Sequence, residues 1–230
     1  MRQASAASIF VQEVLHKKPR IAVFDCDGTL WSGDAGADFF YYEIETGLIP
    51  PDVAKWILPR YDDYKAGKVD ELTICGEMVT IHEGLADKDI RAAAREFFAS
   101  NVAHRIFGAM QELTHCLNES GCEVWAVSST NKWVVEEGAR RFGIPPERVL
   151  AAEVEIKNGK ATGKLIQVPT DELKADAISK HIKKRPDVVF GNSVHDSHML
   201  EMSKTPYVVN PNPDLEVLAR DRGWPIFKPE

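Results

Sequence analysis

Asp25 and Asp27 stand two residues apart, directly after the apolar run Ile21-Ala22-Val23-Phe24 and directly before Gly28 and Thr29. Two carboxylates at the end of a buried strand are costly to desolvate, so the pair needs partners or a task. The chemistry open to it is phosphoryl transfer. One carboxylate can attack phosphorus and form an acyl phosphate. The other can protonate the departing alkoxide and later activate water. Carboxylate oxygens also suit Mg²⁺, and Gly28 lets the main chain turn closely around a ligand. The alternative is an ordinary Asp-Gly turn. The upstream strand and the Gly-Thr-Leu that follows favour chemistry, with Asp25 as nucleophile and Asp27 as acid and base.

Other polar residues occupy comparable places. The run Glu123-Val124-Trp125-Ala126-Val127 ends at Ser128, Ser129 and Thr130, and Val188-Val189-Phe190 ends at Gly191-Asn192-Ser193. Lys174 lies in a helical segment after Pro169-Thr170-Asp171. A lone serine at a strand end is ordinarily a turn residue, and a lone lysine ordinarily faces solvent. Their placement instead makes Ser128, Ser129 and Lys174 candidates for binding phosphate, together with Gly28 and Thr29. The register of the apolar run favours Ser128 over Ser129.

The elements that must position these residues follow from the pattern. Four short apolar runs, the fourth being Tyr207-Val208-Val209, end in small or polar residues. They predict an α/β fold with an open, mostly parallel sheet. Ligands bind such sheets at the carboxyl ends of the strands. Residues 32–107 read differently, with helical periodicity, many aromatics and the punctuation of Pro50-Pro51, Pro59 and Ala66-Gly67-Lys68. They predict an all-helical insertion after the first strand. Its last helix is expected to be capped by Asp87-Lys88-Asp89 and to run through Ser100. Another helix is predicted over about residues 109–119. Alternation over residues 154–168 around Asn158-Gly159 predicts a hairpin with a type I′ turn. Residues 1–18 predict a short amphipathic helix.

The segment Asp25-Cys26-Asp27-Gly28-Thr29-Leu30 resembles the first motif of the haloacid dehalogenase superfamily of phosphohydrolases. Val127-Ser128 resembles the second motif, Lys174 in Leu173-Lys174-Ala175-Asp176 the third, and Gly191-Asn192-Ser193-Val194-His195-Asp196 the acidic fourth. All four occur in the required order. The helical insertion, the Asn158-Gly159 hairpin and the tail from Asn210-Pro211 through Gly223-Trp224-Pro225 resemble the phosphoserine phosphatase-like branch. The resemblance implies a Rossmann-like core of residues 1–31 and 108–230 with a small helical cap of residues 32–107. It implies Mg²⁺ held by Asp25, the Asp27 carbonyl, Asn192 and Asp196, and a lid that closes over the aspartyl-phosphate.

Two departures bear on metal and substrate. Asn192 stands where the family usually has an aspartate, so the metal site has one negative charge fewer. A sluggish, phosphoester-binding relative is the rival reading, and a phosphotransferase or mutase is another. A halide-removing hydrolase is disfavoured because Asp27 is present. The cap arginine that holds a substrate carboxylate in phosphoserine phosphatases has no counterpart near Gly76, Glu77 and Met78. Asp34 falls where the family contacts the substrate amine. Acid without arginine suggests a cationic or hydroxylated substrate more than an amino acid, such as one of the phosphocholine type. Trp31 would add cation–π contact, and Met78 and His195 would stand near the substrate, His195 not as a base.

Composition sets the remaining bounds. The 230 residues carry a formal charge of −7, which favours no nucleic-acid partner. Cys26, Cys75, Cys116 and Cys122 have no zinc-like spacing. No apolar run reaches membrane-spanning length, and no Gly-x-Gly-x-x-Gly follows a strand. The expectation is a soluble, cytoplasmic monomer or homodimer that acts on a small phosphorylated metabolite.

Overall fold

A computed structural model of the chain describes residues 5–229. Helix α1 (Ala6–His16) leads into β1 (Ile21–Phe24). Four helices follow: α2 (Ala35–Glu45), α3 (Pro51–Lys65), α4 (Glu71–Thr80) and α5 (Asp87–Phe97). A π-helical turn (Phe98–Val102) and a 3₁₀ turn (Ala103–Arg105) connect these to α6 (Gly108–Glu119). The rest is β2 (Glu123–Asn131), α7 (Lys132–Ala139), β3 (Val149–Lys157), β4 (Lys160–Gln167), α8 (Glu172–His181), β5 (Val188–Gly191), α9 (Ser197–Met202), β6 (Thr205–Val209), α10 (Pro213–Arg222) and β7 (Ile226–Phe227). The helix expected over residues 1–18 is α1; residues 1–4 of that stretch lie outside the described residues.

The seven strands form one sheet in the order β4-β3-β2-β1-β5-β6-β7. Every pairing is parallel except that of β3 with β4. Phe24 is paired with Ala126 on one side and Phe190 on the other. β1 is buried along its whole length, which is why a central parallel strand reads as an unbroken apolar run. Its side chains still alternate. Ala22 and Phe24 join one core with α1, α6 and α7, while Ile21 and Val23 join the other with α8, α9 and α10. Helices thus cover both faces, as the α/β reading requires. Asn158 and Gly159 have φ of 53° and 73°, the left-handed pair that a type I′ turn needs.

Three details depart from expectation. β2 runs on to Asn131, with a register shift against β3 after Val127, so the polar Ser128-Ser129-Thr130 is strand. The first half of β3 pairs parallel with β2 before the hairpin begins. Helix α5 has Ala86 as its N-cap with no side-chain bond, and it gives way at Phe98 to the π turn. Asp87 does not cap it. Asp87 accepts hydrogen bonds from Arg91 Nε and Trp133 Nε1, both at 2.8 Å.

No strand interrupts the segment from α2 to α5. Phe40, Ile57, Tyr61 and Ile74 give α2, α3 and α4 a small core of their own. By contrast, Ile90, Phe97 and Phe98 belong to the same core as Phe24 and Trp31. Backbone bonds of 2.9 Å from Gly84 N to Ala161 O, Ala161 N to Leu85 O and Asp87 N to Gly159 O strap this second half to the hairpin. No helix among the described residues is long and apolar enough to cross a membrane.

Candidate active site

Asp25 continues β1 by one residue, its N–H donating to the Phe190 carbonyl at 2.9 Å. Its buried carboxylate is held from two directions. Lys174 Nζ donates to Oδ1 at 2.8 Å and Thr29 Oγ1 to Oδ2 at 2.9 Å. Lys174, on the first turns of α8, also donates to Asp196 Oδ1 at 2.6 Å. Asp196 Oδ2 accepts the N–H groups of Asn192 and Ser193 at 2.8 and 3.0 Å. One buried ammonium therefore serves two buried carboxylates. Burial and the charge of Asp196, only partly offset by Lys174, push the Asp25 carboxyl up to about 7. Burial alone would lower the Lys174 pKa, but Asp196 and Asp25 raise it and keep the ammonium charged.

Asp27 is held by different segments. Its Oδ1 accepts Trp31 Nε1 at 2.6 Å and Ala35 N–H at 2.7 Å, and its Oδ2 accepts Thr130 Oγ1 at 2.8 Å. Burial nevertheless raises its pKa, against these three hydrogen bonds. Oδ1 already receives two N–H donors, so a proton on Asp27 belongs on Oδ2. There Thr130 can turn from donor to acceptor.

Several expected roles change. Trp31 is fully buried, edge-on to Phe98 at 5.3 Å, and its indole N–H is spent on Asp27. It orients the acid and offers no face to a cation. Thr29 spends its hydroxyl on Asp25 and its N–H on the Cys26 carbonyl, and Gly28 N–H goes to Trp31 O. In the structure these donors are spent within the loop that carries the two acids. Asp196, expected as a metal ligand, is buried behind Lys174 and braces the Asn192 turn. His195 lies between Glu71 and Asp171, with Nε2 3.0 Å from one and Nδ1 2.6 Å from the other. Ser128 is buried, and its Oγ accepts Thr130 N–H at 3.2 Å.

Asn192 is brought against Gly28, whose φ is +75°. A Cβ on Gly28 would collide with the Asn192 amide, so only glycine admits this approach. The oxygen donors available to a cation are thus Asp25, the neutral Asn192 amide and main-chain carbonyls. Among the described residues no three His, Cys, Asp or Glu side chains gather as a metal cage. The set still fits a hard divalent ion, because it is all oxygen and the surrounding carboxylates outnumber Lys174.

A cavity opens beside Thr130, lined by Asp34, Gly36, Tyr61, Tyr64, Glu71, Ile74, Cys75, Met78, Ser129 and Asn131 among others. Asp34 and Met78 therefore share the wall of one cavity. Asp34 caps α2 through Ala37 N–H at 2.8 Å. The residue is exposed, yet desolvation of the carboxyl and the charge of Asp27 push it up to about 6.

The sequence matches the haloacid dehalogenase-like hydrolases over residues 22–201, a span that takes in every residue of this site. The chain belongs to that family. Within it the chain is a phosphatase. It is 25% identical to a histidinol-phosphatase of Neisseria meningitidis, over 90% of this chain and 97% of the relative. It is also 25% identical to a phosphoserine phosphatase of Mycobacterium tuberculosis, over 89% of this chain and 69% of the relative. Among solved structures, a Bordetella pertussis protein of unknown function superposes with a TM-score of 0.78 at 21% identity, over 90% and 97% of the two chains. A phosphoserine phosphatase bearing an analogue of its phospho-aspartyl intermediate superposes at 0.59 and 19% identity, over 92% and 93%.

In this family hydrolase Lys174 joins Asp25 and Asp196 at the end of β1, and β2 reaches the same place through Thr130. What sequence reasoning missed lies one step from what it named. Thr130 follows the two serines it chose, and the available signal was a polar run continuing a strand. Tyr61, Tyr64 and Glu71 lie on helices read as lid interior, and only their convergence with Asp34 marks them out.

Proposed function

We propose that the chain hydrolyses a small phosphomonoester with Mg²⁺ through an aspartyl-phosphate on Asp25. The observation that carries this reading is the unlike treatment of two neighbouring carboxylates. Asp25 is paired with a lysine. Asp27 is fixed by three neutral donors that leave Oδ2 as the place for a proton, as a general acid requires. An oxygen of Asp25 attacks phosphorus, the P–O ester bond breaks, and the departing oxygen takes the proton from Asp27 Oδ2. Asp27 then removes a proton from water as its oxygen attacks the acyl phosphate. The Asp25–phosphorus bond breaks and inorganic phosphate leaves. Lys174 meets the charge that builds on the equatorial oxygens. Mg²⁺, held by Asp25, Asn192 and main-chain oxygen, would supply Lewis-acid neutralisation of the phosphoryl group and of Asp25.

Relatives named for histidinol phosphate and for phosphoserine agree on the reaction and differ in the leaving group. Four unbridged cysteines, two of them buried, support a reducing, cytoplasmic setting. Hydrolysis of p-nitrophenyl phosphate with and without Mg²⁺ tests the proposal. Turnover is expected only with the metal, and Asp25→Asn is expected to lower kcat by at least about 10⁴-fold. An Asp25→Asn enzyme that works at the unmodified rate ends the covalent reading. Asn192→Asp is expected to lower the Mg²⁺ concentration needed for half-maximal rate.

A further inference from the structure

The cavity beside Thr130 combines features that select a leaving group. Its two charged wall residues, Asp34 and Glu71, are both acids, and among the described residues no lysine, arginine or histidine lines it. Two tyrosine rings, Tyr61 and Tyr64, stand 5.9 Å apart in the same wall. Arg60, on the same helix as these tyrosines, is tied to Glu77 by bonds of 3.0 and 2.7 Å. Arg105 is tied to Asp38 at 2.7 Å. Neither reaches the cavity. Glu71 gives Oε2 to His195 and leaves Oε1 for a ligand. His195 is also shared with Asp171, so even a charged imidazole leaves this region net negative.

We infer that the leaving group is a small alcohol bearing an ammonium or N-alkylated ammonium and no carboxylate, held by Asp34 and Glu71 against Tyr64. The inference rests on the phosphomonoesterase reading above and deepens it. The phosphate of such an ester meets Lys174 at one end. The cation meets two acids at the other, and the Tyr64 ring is the one left to it, because Lys65 Nζ already lies over Tyr61 at 5.2 Å from the centroid. A carboxylate in the same place would face Asp34 and Glu71 with no cation to answer it, a like-charge arrangement that excludes amino-acid esters.

The test is a panel with Mg²⁺: phosphoethanolamine, phosphocholine and histidinol phosphate as cationic esters, phosphoserine as the carboxylated one, and glycerol 3-phosphate and p-nitrophenyl phosphate without a cation. The best cationic ester is expected to exceed phosphoserine in kcat/KM by about 100-fold or more. Asp34→Asn keeps a good helix cap while removing the charge. It is expected to lower the ratio of kcat/KM for that ester over glycerol 3-phosphate by about 10-fold, and Glu71→Gln should act in the same direction. If phosphoserine or glycerol 3-phosphate is hydrolysed as well as every cationic ester, the substrate class is wrong and the phosphatase reading stands. A ratio unmoved in both variants has the same meaning. No turnover of any ester overturns both.

Discussion

At the carboxyl end of β1, charged oxygens are met by donors from separate parts of the chain. Thr29 and Lys174 hold Asp25, while Trp31, Ala35 and Thr130 hold Asp27. In the cavity alongside, the acids have fewer ties: Asp34 is held by its own helix terminus and Glu71 by His195. The first region rests on strands buried on both faces, the second on α2, α3 and α4, which pack around a small core of their own. Chemistry that needs preorganised dipoles is built where the scaffold is stiffest. Selection of the leaving group is carried by side chains that can change without disturbing it. The contrast teaches that reaction and substrate are separable here, and variants can press on either side.

The sharpest break is at Trp31. Trp31→Phe keeps an aromatic ring and removes one hydrogen bond to the acid. A hydrogen bond to a charged group is worth about 1.5–3 kcal/mol, so kcat should fall about 10- to 100-fold. KM should stay within about 2-fold, because Trp31 does not line the cavity. Thr130→Val should lower kcat in the same way, and Thr130→Ser should restore the rate. A rise in KM with kcat unchanged would return Trp31 to substrate contact.

Much of this site is legible in the sequence, for reasons that vary by residue. The carboxylates and their strand are visible because a central parallel strand is apolar throughout and then ends abruptly. Lys174 is suggested by its order along the chain. Its pairing with Asp25, 149 residues away, belongs to the sheet and not to any local pattern. Thr130 was hidden because β2 continues through four polar residues after a register shift. Trp31 misled because a tryptophan beside acids can offer either a ring face or an N–H. Only burial against Phe98 decides between them. The strand order and the split of the helical insertion between two cores are likewise tertiary outcomes.

A smaller effect is expected at Gly138, the point where α7 meets Trp31. A Cβ there would lie 2.6 Å from two Trp31 ring atoms and 2.8 Å from Phe98. Helix propensity alone makes Gly→Ala stabilising by about 1 kcal/mol, whereas overpacking a core costs about 1–3 kcal/mol. Because the obstacle is two rigid rings, overpacking should win. Gly138→Ala should lower Tm by roughly 2–10 °C and reduce kcat as Trp31 is displaced from Asp27. A variant as stable as the parent would mean that the Trp31 packing has slack.

The least effect, and the one that isolates the cavity side, concerns Glu43 and His82. They form a buried pair at 2.8 Å between α2 and the end of α4. Burial disfavours charge on His82, but Glu43 and the Val79 carbonyl outweigh it and raise its pKa above 6.5. The native state thus keeps a proton that the unfolded chain releases. The stability this contributes is full below pH 6.5 and is lost as pH rises through the folded value. Burial also holds the Glu43 carboxyl above its ordinary 4.5, against the pull of His82, and that shift has the same sign. Thermal unfolding should therefore show Tm falling as the pH rises above 6.5. Glu43→Gln removes the charge that keeps His82 protonated and should flatten that slope, while kcat at a fixed pH changes less than in Trp31→Phe. An equal slope in both proteins would assign the pH dependence to the carboxylates at the sheet end, where Asp25 carries a shift of the same sign.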